Sequence, residues 1–223
     1  HYDEIQWNNI DSVLFISEAM KRKFHAKGDY KGKTFVTYDN LNFEDFPLIH
    51  KEKTMQIGML GNIEPRKGVL EFVEHFGKMN LPEIKLSIAG KAKDATYYGK
   101  IKRHIVENNL ESKITIEGYV KDLNDWYNSN DCIISNSVHE GTQTSIVEGV
   151  ATGCWAISKD WDGAEEIVDE KGLFTNVNEL EKCINLFYEW NDEERNKNIK
   201  KAREKLISKL TKRPKMHDII SKL

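Results

Sequence analysis

The chain has 223 residues, a formal net charge of -3 and 39% hydrophobic content. That is enough apolar mass for one full core with a small piece attached, and too much for a disordered segment. The near-neutral charge gives no sign of a nucleic-acid partner, no apolar run approaches the ~20 residues of a membrane span, and no secretory signal opens the chain.

The first residue is His1 rather than Met, so the start of the native protein is expected to be missing. Residues 13–16 (VLFI) form a short apolar run, read as a buried strand. Ser17 then caps a helix over EAMKRKF, and residues 35–38 are a second strand. Residues 39–53 have no clear period and contain Pro47, so they read as a linker. This first β-α-β unit is too small to stand alone.

A regular alternation begins at Met55. Strands are expected at 55–60, 84–89, 114–116, 132–135 and 155–158. Helices are expected at 67–79, 97–108, 123–130, 144–152, 177–190 and 193–210, with Gly153 ending the fourth. Strands and helices alternating at this spacing imply an α/β fold, a parallel sheet with helices on both faces. Such sheets bind ligands at the carboxyl ends of their strands, so the loops after 60, 89, 117 and 135 are expected to hold the site. Cys132, Cys154 and Cys183 have no metal-ligand spacing and read as reduced, buried thiols of a cytosolic protein.

Two loops carry chemistry. In Gly61-Asn62-Ile63-Glu64-Pro65-Arg66-Lys67-Gly68, glycines let the backbone approach a ligand, and two adjacent cations at a helix start can grip phosphate. The loop is neither a Walker loop nor a dinucleotide fingerprint; without Gly-x-Gly-x-x-Gly after the first strand, an oxidoreductase is disfavoured. In His139-Glu140-Gly141-Thr142-Gln143-Thr144-Ser145-Ile146-Val147-Glu148, two glutamates flank seven residues. The stretch between them starts a helix, where free N–H groups and the dipole favour an anion. Glu148 lies inside that helix among apolar neighbours and needs a hydrogen-bonding partner; a sugar hydroxyl would serve. Each loop alone also fits an ordinary strand-to-helix turn with solvated charges.

The pair Glu140 and Glu148 with seven residues between is similar to the signature of the large retaining family 4 of glycosyltransferases and of glycogen and sucrose synthase relatives. Ser137-x-x-Glu140-Gly141, Glu148-Gly149-Val150-Ala151-Thr152-Gly153, Gly118-Tyr119-Val120, the loop 61–68 with its lysine and Gly163-Ala164-Glu165-Glu166-Ile167-Val168 resemble the family's text in the family's order. Ser17 and Asn40 match positions near the end of its N-terminal domain.

This resemblance implies a GT-B fold of two Rossmann-like domains facing a cleft. Residues 1–50 would be the last β-α-β unit of the acceptor domain with the linker, 51–190 the Rossmann-like domain that binds a nucleotide-sugar donor, and 191–223 basic C-terminal helices. Lys67 would pair with the donor diphosphate and Glu140 would sit near the transferred sugar. Glu148 would hold the ribose. The backbone of Gln143, Thr144 and Ser145 would take sugar and phosphates, Gly61, Asn62, Arg66, Gly141 and Thr142 would belong to the same donor-binding site, and Gly118, Tyr119 and Val120 would line the base pocket. No cofactor and no metal are expected, in line with the lack of a carboxylate cluster spaced for a divalent ion.

The function implied is a retaining hexosyl transfer in polysaccharide biosynthesis, from a nucleoside-diphosphate sugar to a saccharide or lipid-linked acceptor, in the cytoplasm. With only this remnant of the acceptor domain, the chain alone would transfer slowly or not at all. A non-catalytic nucleotide-sugar-binding module and, with less support, a nucleotide-sugar epimerase of the same fold stay open.

Two departures stand out: Asn62 replaces the family's usual Arg, and Thr142 with Gln143 replace an aromatic and a glycine. His139 is a lesser candidate for a catalytic acid. Trp155, Trp161 and Trp190 fit core packing better than sugar stacking. The basic stretch 195–215 fits peripheral contact with anionic lipid or undecaprenyl phosphate, or a solvated helix face.

Overall fold

The structure, a computed structural model, describes residues 4–37, 41–49 and 52–221. Its first unit is β1 (Ser12–Phe15), α1 (Glu18–Lys27) and β2 (Lys33–Val36), two parallel strands joined through a helix. The Ser17 hydroxyl accepts the Met20 amide at 3.2 Å, as expected of an N-cap. Tyr38 and Asn40 lie outside the described residues.

The main body runs β3 (Gln56–Leu60), α2 (Val69–Phe76), β4 (Lys85–Ala89), α3 (Ala95–Glu107), β5 (Ile114–Gly118), α4 (Leu123–Asn128), β6 (Cys132–Ser135), α5 (Thr144–Thr152), β7 (Trp155–Lys159), β8 (Leu173–Phe174), α6 (Val177–Glu189), α7 (Asp192–Thr211) and α8 (Met216–Ile220). Its six strands lie in the order β5-β4-β3-β6-β7-β8, and every pair is parallel. The chain winds outward from β3 to β5, returns to β6 and winds the other way. The reversal between β3 and β6 is the place where a doubly wound sheet opens a crevice at its carboxyl edge.

Both faces of the sheet are covered. Side chains that alternate along the strands divide between two apolar clusters. Ile57, Leu86, Ile134 and Ile157 pack with Phe72, Ile101 and Phe187 on one face, whereas Ile133 and Ala156 pack with Trp126, Ile146, Val147 and Leu206 on the other. Each fully buried side chain of this size contributes about 1.5–3 kcal/mol.

Several expected boundaries are corrected. The helix expected at 67–79 begins at Val69, because Pro65–Lys67 is a 3-10 turn closed by Gly68 in the left-handed conformation (φ 61°). β8 and α8 escaped the sequence reading, being two and five residues long, too short for a period to emerge. Within the expected linker, Phe43–Asp45 form a 3-10 turn, and Leu41, Phe43 and Phe46 pack against the second cluster. Trp155, Trp161 and Trp190 are all buried, so none presents a ring to a ligand; Trp155 and Trp190 meet edge to face at 4.9 Å. All three cysteines are buried thiols outside any disulfide.

Candidate functional site

At the switch point, a cleft of about 330 Å³ is lined by Leu60, Gly61, Asn62, Arg66 and Lys67 from the β3 side, and by Glu140, Thr142, Gln143, Thr144, Ser145 and Glu148 from the β6 side. That volume suits a small-molecule ligand. The structure therefore brings together most of the residues that the two loops suggested.

The β3 side is built by a sharp turn. The Lys67 amide bonds to the Glu64 carbonyl at 3.0 Å and that of Gly68 to Pro65 at 2.9 Å. Any larger residue at position 68 would set its Cβ 2.5 Å from the Asn136 carbonyl oxygen, and the Asn136 side-chain amide donates to the Gly68 carbonyl at 2.8 Å. Asn136, not singled out in the sequence, thus clamps the turn that presents Arg66 and Lys67. Beside it, Gly90 approaches Gly61 so closely that a Cβ would meet the Gly61 carbonyl oxygen at 1.7 Å.

On the β6 side, Glu140 faces both cations. Lys67 Nζ donates to its Oε1 at 2.5 Å, and Arg66 Nη1 to its Oε2 at 3.2 Å. Arg66 also reaches the His139 carbonyl and Glu64, both at 3.0 Å. The Glu140 and Lys67 side chains are 9% and 16% exposed, so their pairing is screened far less than a surface ion pair. Burial pushes the Glu140 carboxyl up, but hydrogen bonds from Lys67 and Ser137 and the charges of Lys67 and Arg66 outweigh it and hold the group below the ordinary carboxylate range. His139 is exposed and enters this network through its backbone carbonyl.

Helix α5 begins at Thr144, and Gln143 caps it without a side-chain hydrogen bond. The Gln143 carbonyl accepts the amides of Ile146 and Val147 at 3.1 and 3.2 Å. The opening of the helix therefore faces the cleft as a donor surface for an anion. The loop before it leans on the first β-α-β unit: Thr142 Oγ1 donates to the Ile16 carbonyl at 2.8 Å, and a Cβ at Gly141 would sit 2.6 Å from Ile16 Cδ1. One turn into α5, Glu148 receives the Tyr127 hydroxyl at 2.8 Å. Burial, only partly offset by that bond, raises the Glu148 carboxyl above its usual range. Two carboxylates in one cleft are thus driven in opposite directions, the cations deciding for Glu140 and burial for Glu148.

Gly118, Tyr119 and Val120 do not line this cleft. They lie at the end of β5, which Gly118 closes, two strands from β3. Tyr119 is 66% exposed beneath the Lys91 ammonium (4.7 Å), and Val120 packs against the second core cluster. The loops nevertheless touch in series, Gly61 donating to Ala89 and Gly90 to Gly118. Among the described residues no group of three or more His, Cys, Asp or Glu is placed to hold a metal ion, and no helix is long and apolar enough to cross a membrane.

Comparison with known proteins extends these observations. A family model described as "Glycosyl transferases group 1" matches residues 54–189. The poly(glycerol-phosphate) alpha-glucosyltransferase of Bacillus subtilis is 27% identical over 179 residues, which take in 76% of this chain and 26% of that protein. Anabaena Alr3699/HepE, solved in complex with UDP and glucose, superposes with a TM-score of 0.77 at 18% identity, over 96% of this chain and 64% of that one. A mutant of S. aureus TarM, solved with fondaparinux, alpha-GlcNAc-glycerol and UDP, superposes with a TM-score of 0.78 at 21% identity, over 91% of this chain and 42% of that one. At these identities the likeness is one of fold. The chain spans about a quarter of the length of its curated relative, with 26% covered.

Proposed function

The chain belongs to the glycosyl transferases group 1 family, and on that premise we propose that it holds the nucleoside-diphosphate-sugar donor for transfer of a hexose to a saccharide or lipid-linked acceptor. The observation that carries this reading is the convergence, in one cleft at the switch point, of Lys67, Arg66, Glu140, the opening of α5 and Glu148. The neighbour solved with UDP and glucose supports UDP as the nucleotide.

In this proposal the diphosphate lies between the Lys67–Arg66 pair and the α5 N-terminus. Fixed donors aimed at developing charge stabilise a leaving group without a metal ion; removing one such contact typically costs ~10²–10³ in rate. Arg66, already within reach of Glu140, would supply the cation that Asn62 does not. Glu148 would accept the ribose hydroxyls, and the base would extend over the ends of β4 and β5 toward Gly118, Tyr119 and Val120. Glu140 would border the transferred sugar, its ionised carboxylate aligning Lys67. The anomeric C–O bond breaks with its electron pair passing to the diphosphate oxygen. The acceptor oxygen bonds to the same carbon from the same side, retaining configuration, and its proton passes to the departing phosphate. Glu140 serves as an electrostatic and orienting group, with no covalent intermediate invoked.

We place the work in the cytoplasm, in polysaccharide assembly, with the basic stretch 195–215, on α7 and the segment after it, as the surface for peripheral contact with anionic lipid. The curated relative, a poly(glycerol-phosphate) alpha-glucosyltransferase, supports a polymeric or polyol-phosphate acceptor. The test is a transfer assay on the full-length protein with UDP- and GDP-hexoses, with and without EDTA, over saccharide and lipid-linked acceptors. Turnover indifferent to EDTA is expected. No turnover across the panel, with nucleotide binding intact, would replace the enzyme reading by that of a binding module.

A further inference from the structure

Tyr127 is 0% exposed, sits on α4 and does not line the cleft, yet its hydroxyl is directed at two groups on α5. It shares its proton between Glu148 Oε2 at 2.8 Å and the Ser145 carbonyl at 3.0 Å. The ring is fixed from several sides. Trp126 and Phe46 meet it edge to face at 5.4 and 6.4 Å, the Cys154 thiol donates to its carbonyl at 3.2 Å, and α5 passes so close that a Cβ at Gly149 would lie 3.3 Å from Tyr127 Cε1. A buried phenol needs one acceptor, and the Ser145 carbonyl alone would suffice. Here the hydroxyl also holds one oxygen of a carboxylate at the edge of the cleft.

We propose that Tyr127 is a positioning residue for the donor site: its hydroxyl fixes the Glu148 carboxylate so that Oε1 is offered to a vicinal diol of the ligand. The inference rests on the reading of Glu148 as the ribose-binding group. Without the hydroxyl, the carboxylate is free to turn about its terminal torsion, a broad and shallow one, and its ordering would fall to the ligand. Tyr127 would thus raise affinity without touching the ligand. The remaining ionisable groups lining the cleft, Arg66, Lys67 and Glu140, are engaged with one another. Glu148 therefore responds chiefly to its own burial and to Tyr127.

The experiment is calorimetry with UDP on the unaltered chain, Tyr127→Phe, Glu148→Gln and the double variant, from pH 4.5 to 8. Tyr127→Phe is expected to weaken binding about tenfold, the scale of one hydrogen bond to a charged group. It should also move the acid limb of the affinity profile to higher pH, since the bond that draws the Glu148 carboxyl down is gone. In the Glu148→Gln background, Tyr127→Phe should change neither quantity further. Two results would overturn the inference: unchanged affinity and acid limb in Tyr127→Phe, or an effect of equal size in the Glu148→Gln background, which would make Tyr127 a packing residue only. If the unaltered chain binds GDP or ADP in place of UDP, the same series is read with that nucleotide; if it binds none of the three, the donor-site reading itself fails and this inference with it. Should Tyr127→Phe not fold, NMR of the unaltered chain decides. A slowly exchanging Tyr127 hydroxyl proton bonded to Glu148 is expected with and without UDP, and loss of that bond on UDP binding would overturn the proposal.

Discussion

Arg66 and Lys67 are adjacent in sequence and both touch Glu140, but their surroundings separate them. Lys67 is 16% exposed and gives Glu140 its shorter bond, whereas Arg66 is 50% exposed and divides its guanidinium among Glu140, Glu64 and a backbone carbonyl. The charge held in the drier place acts more strongly on a diphosphate. In the full-length protein, Lys67→Ala should therefore slow transfer more than Arg66→Ala, and single-turnover kinetics with a UDP-hexose would check the order. The reverse would mean that Arg66 carries the phosphate clamp. Glu148→Gln, close to isosteric, should leave the melting temperature nearly unchanged and weaken UDP binding by about 1–3 kcal/mol. Unchanged affinity in a folded variant would remove Glu148 from the site.

Among the elements, the 3-10 turn Pro65–Lys67 shows how the backbone sets the chemistry. Gly68 ends that turn and caps α2 at φ 61°, hard against Asn136. A Gly68→Ala substitution adds the left-handed penalty of roughly 1–2 kcal/mol to a 2.5 Å clash with backbone, and the strain falls on the segment carrying Lys67. Chemical unfolding should report a loss of at least ~1–2 kcal/mol, together with weaker UDP binding. A variant as stable and as avid as the parent would show that the turn does not position the lysine.

The same turn marks where the sequence was hard to read. The apolar spacing of α2 was plain, but the two cations drew its start back to residue 67, because sequence spacing does not display the sign of φ. β6 and α5 were legible to the residue: three apolar residues closed by Ser135 gave one, and a polar start with a Gly153 stop gave the other. The cleft was legible where chemistry lies in contiguous motifs, as at Glu140 and Glu148. It was not legible at Tyr127 or Asn136, whose contacts reach residues 21 and 68 positions away. A buried aromatic in a short helix looks like core, and Tyr127 is core as well as an anchor for Glu148.

Glu166 shows the same hidden reach across the whole molecule. Only 5% exposed, it accepts the amides of Glu18 and Ala19 at the start of α1, at 3.1 and 2.8 Å, and pairs with Arg213 beyond α7 at 2.5 Å. One carboxylate thus joins the first β-α-β unit, the loop after β7 and the C-terminal segment. Burial pushes it up, but the two amides and Arg213 outweigh that and hold it below the ordinary range. A carboxyl depressed on folding adds stability that is complete above its unfolded pKa of about 4.3 and is lost as pH falls through the folded value. Glu166→Gln would leave Arg213 without its counter-charge. It is expected to cost about 3–5 kcal/mol at neutral pH and to flatten the acid limb of the stability profile in thermal melts. A cost under ~1 kcal/mol would place this contact among ordinary surface pairs.

The turn after β3 and the start of α5 meet in one cleft whose fixed cations and helix opening are proposed to hold a nucleoside diphosphate without a metal ion. The most direct test is calorimetry of this chain with UDP, GDP and ADP, each in the presence and absence of EDTA, with Lys67→Ala and Glu148→Gln alongside. The expected result is saturable binding of at least one of these diphosphates, unchanged by EDTA and weakened in both variants. Binding that appears only with a divalent ion, or that survives both substitutions intact, would contradict the donor site described here.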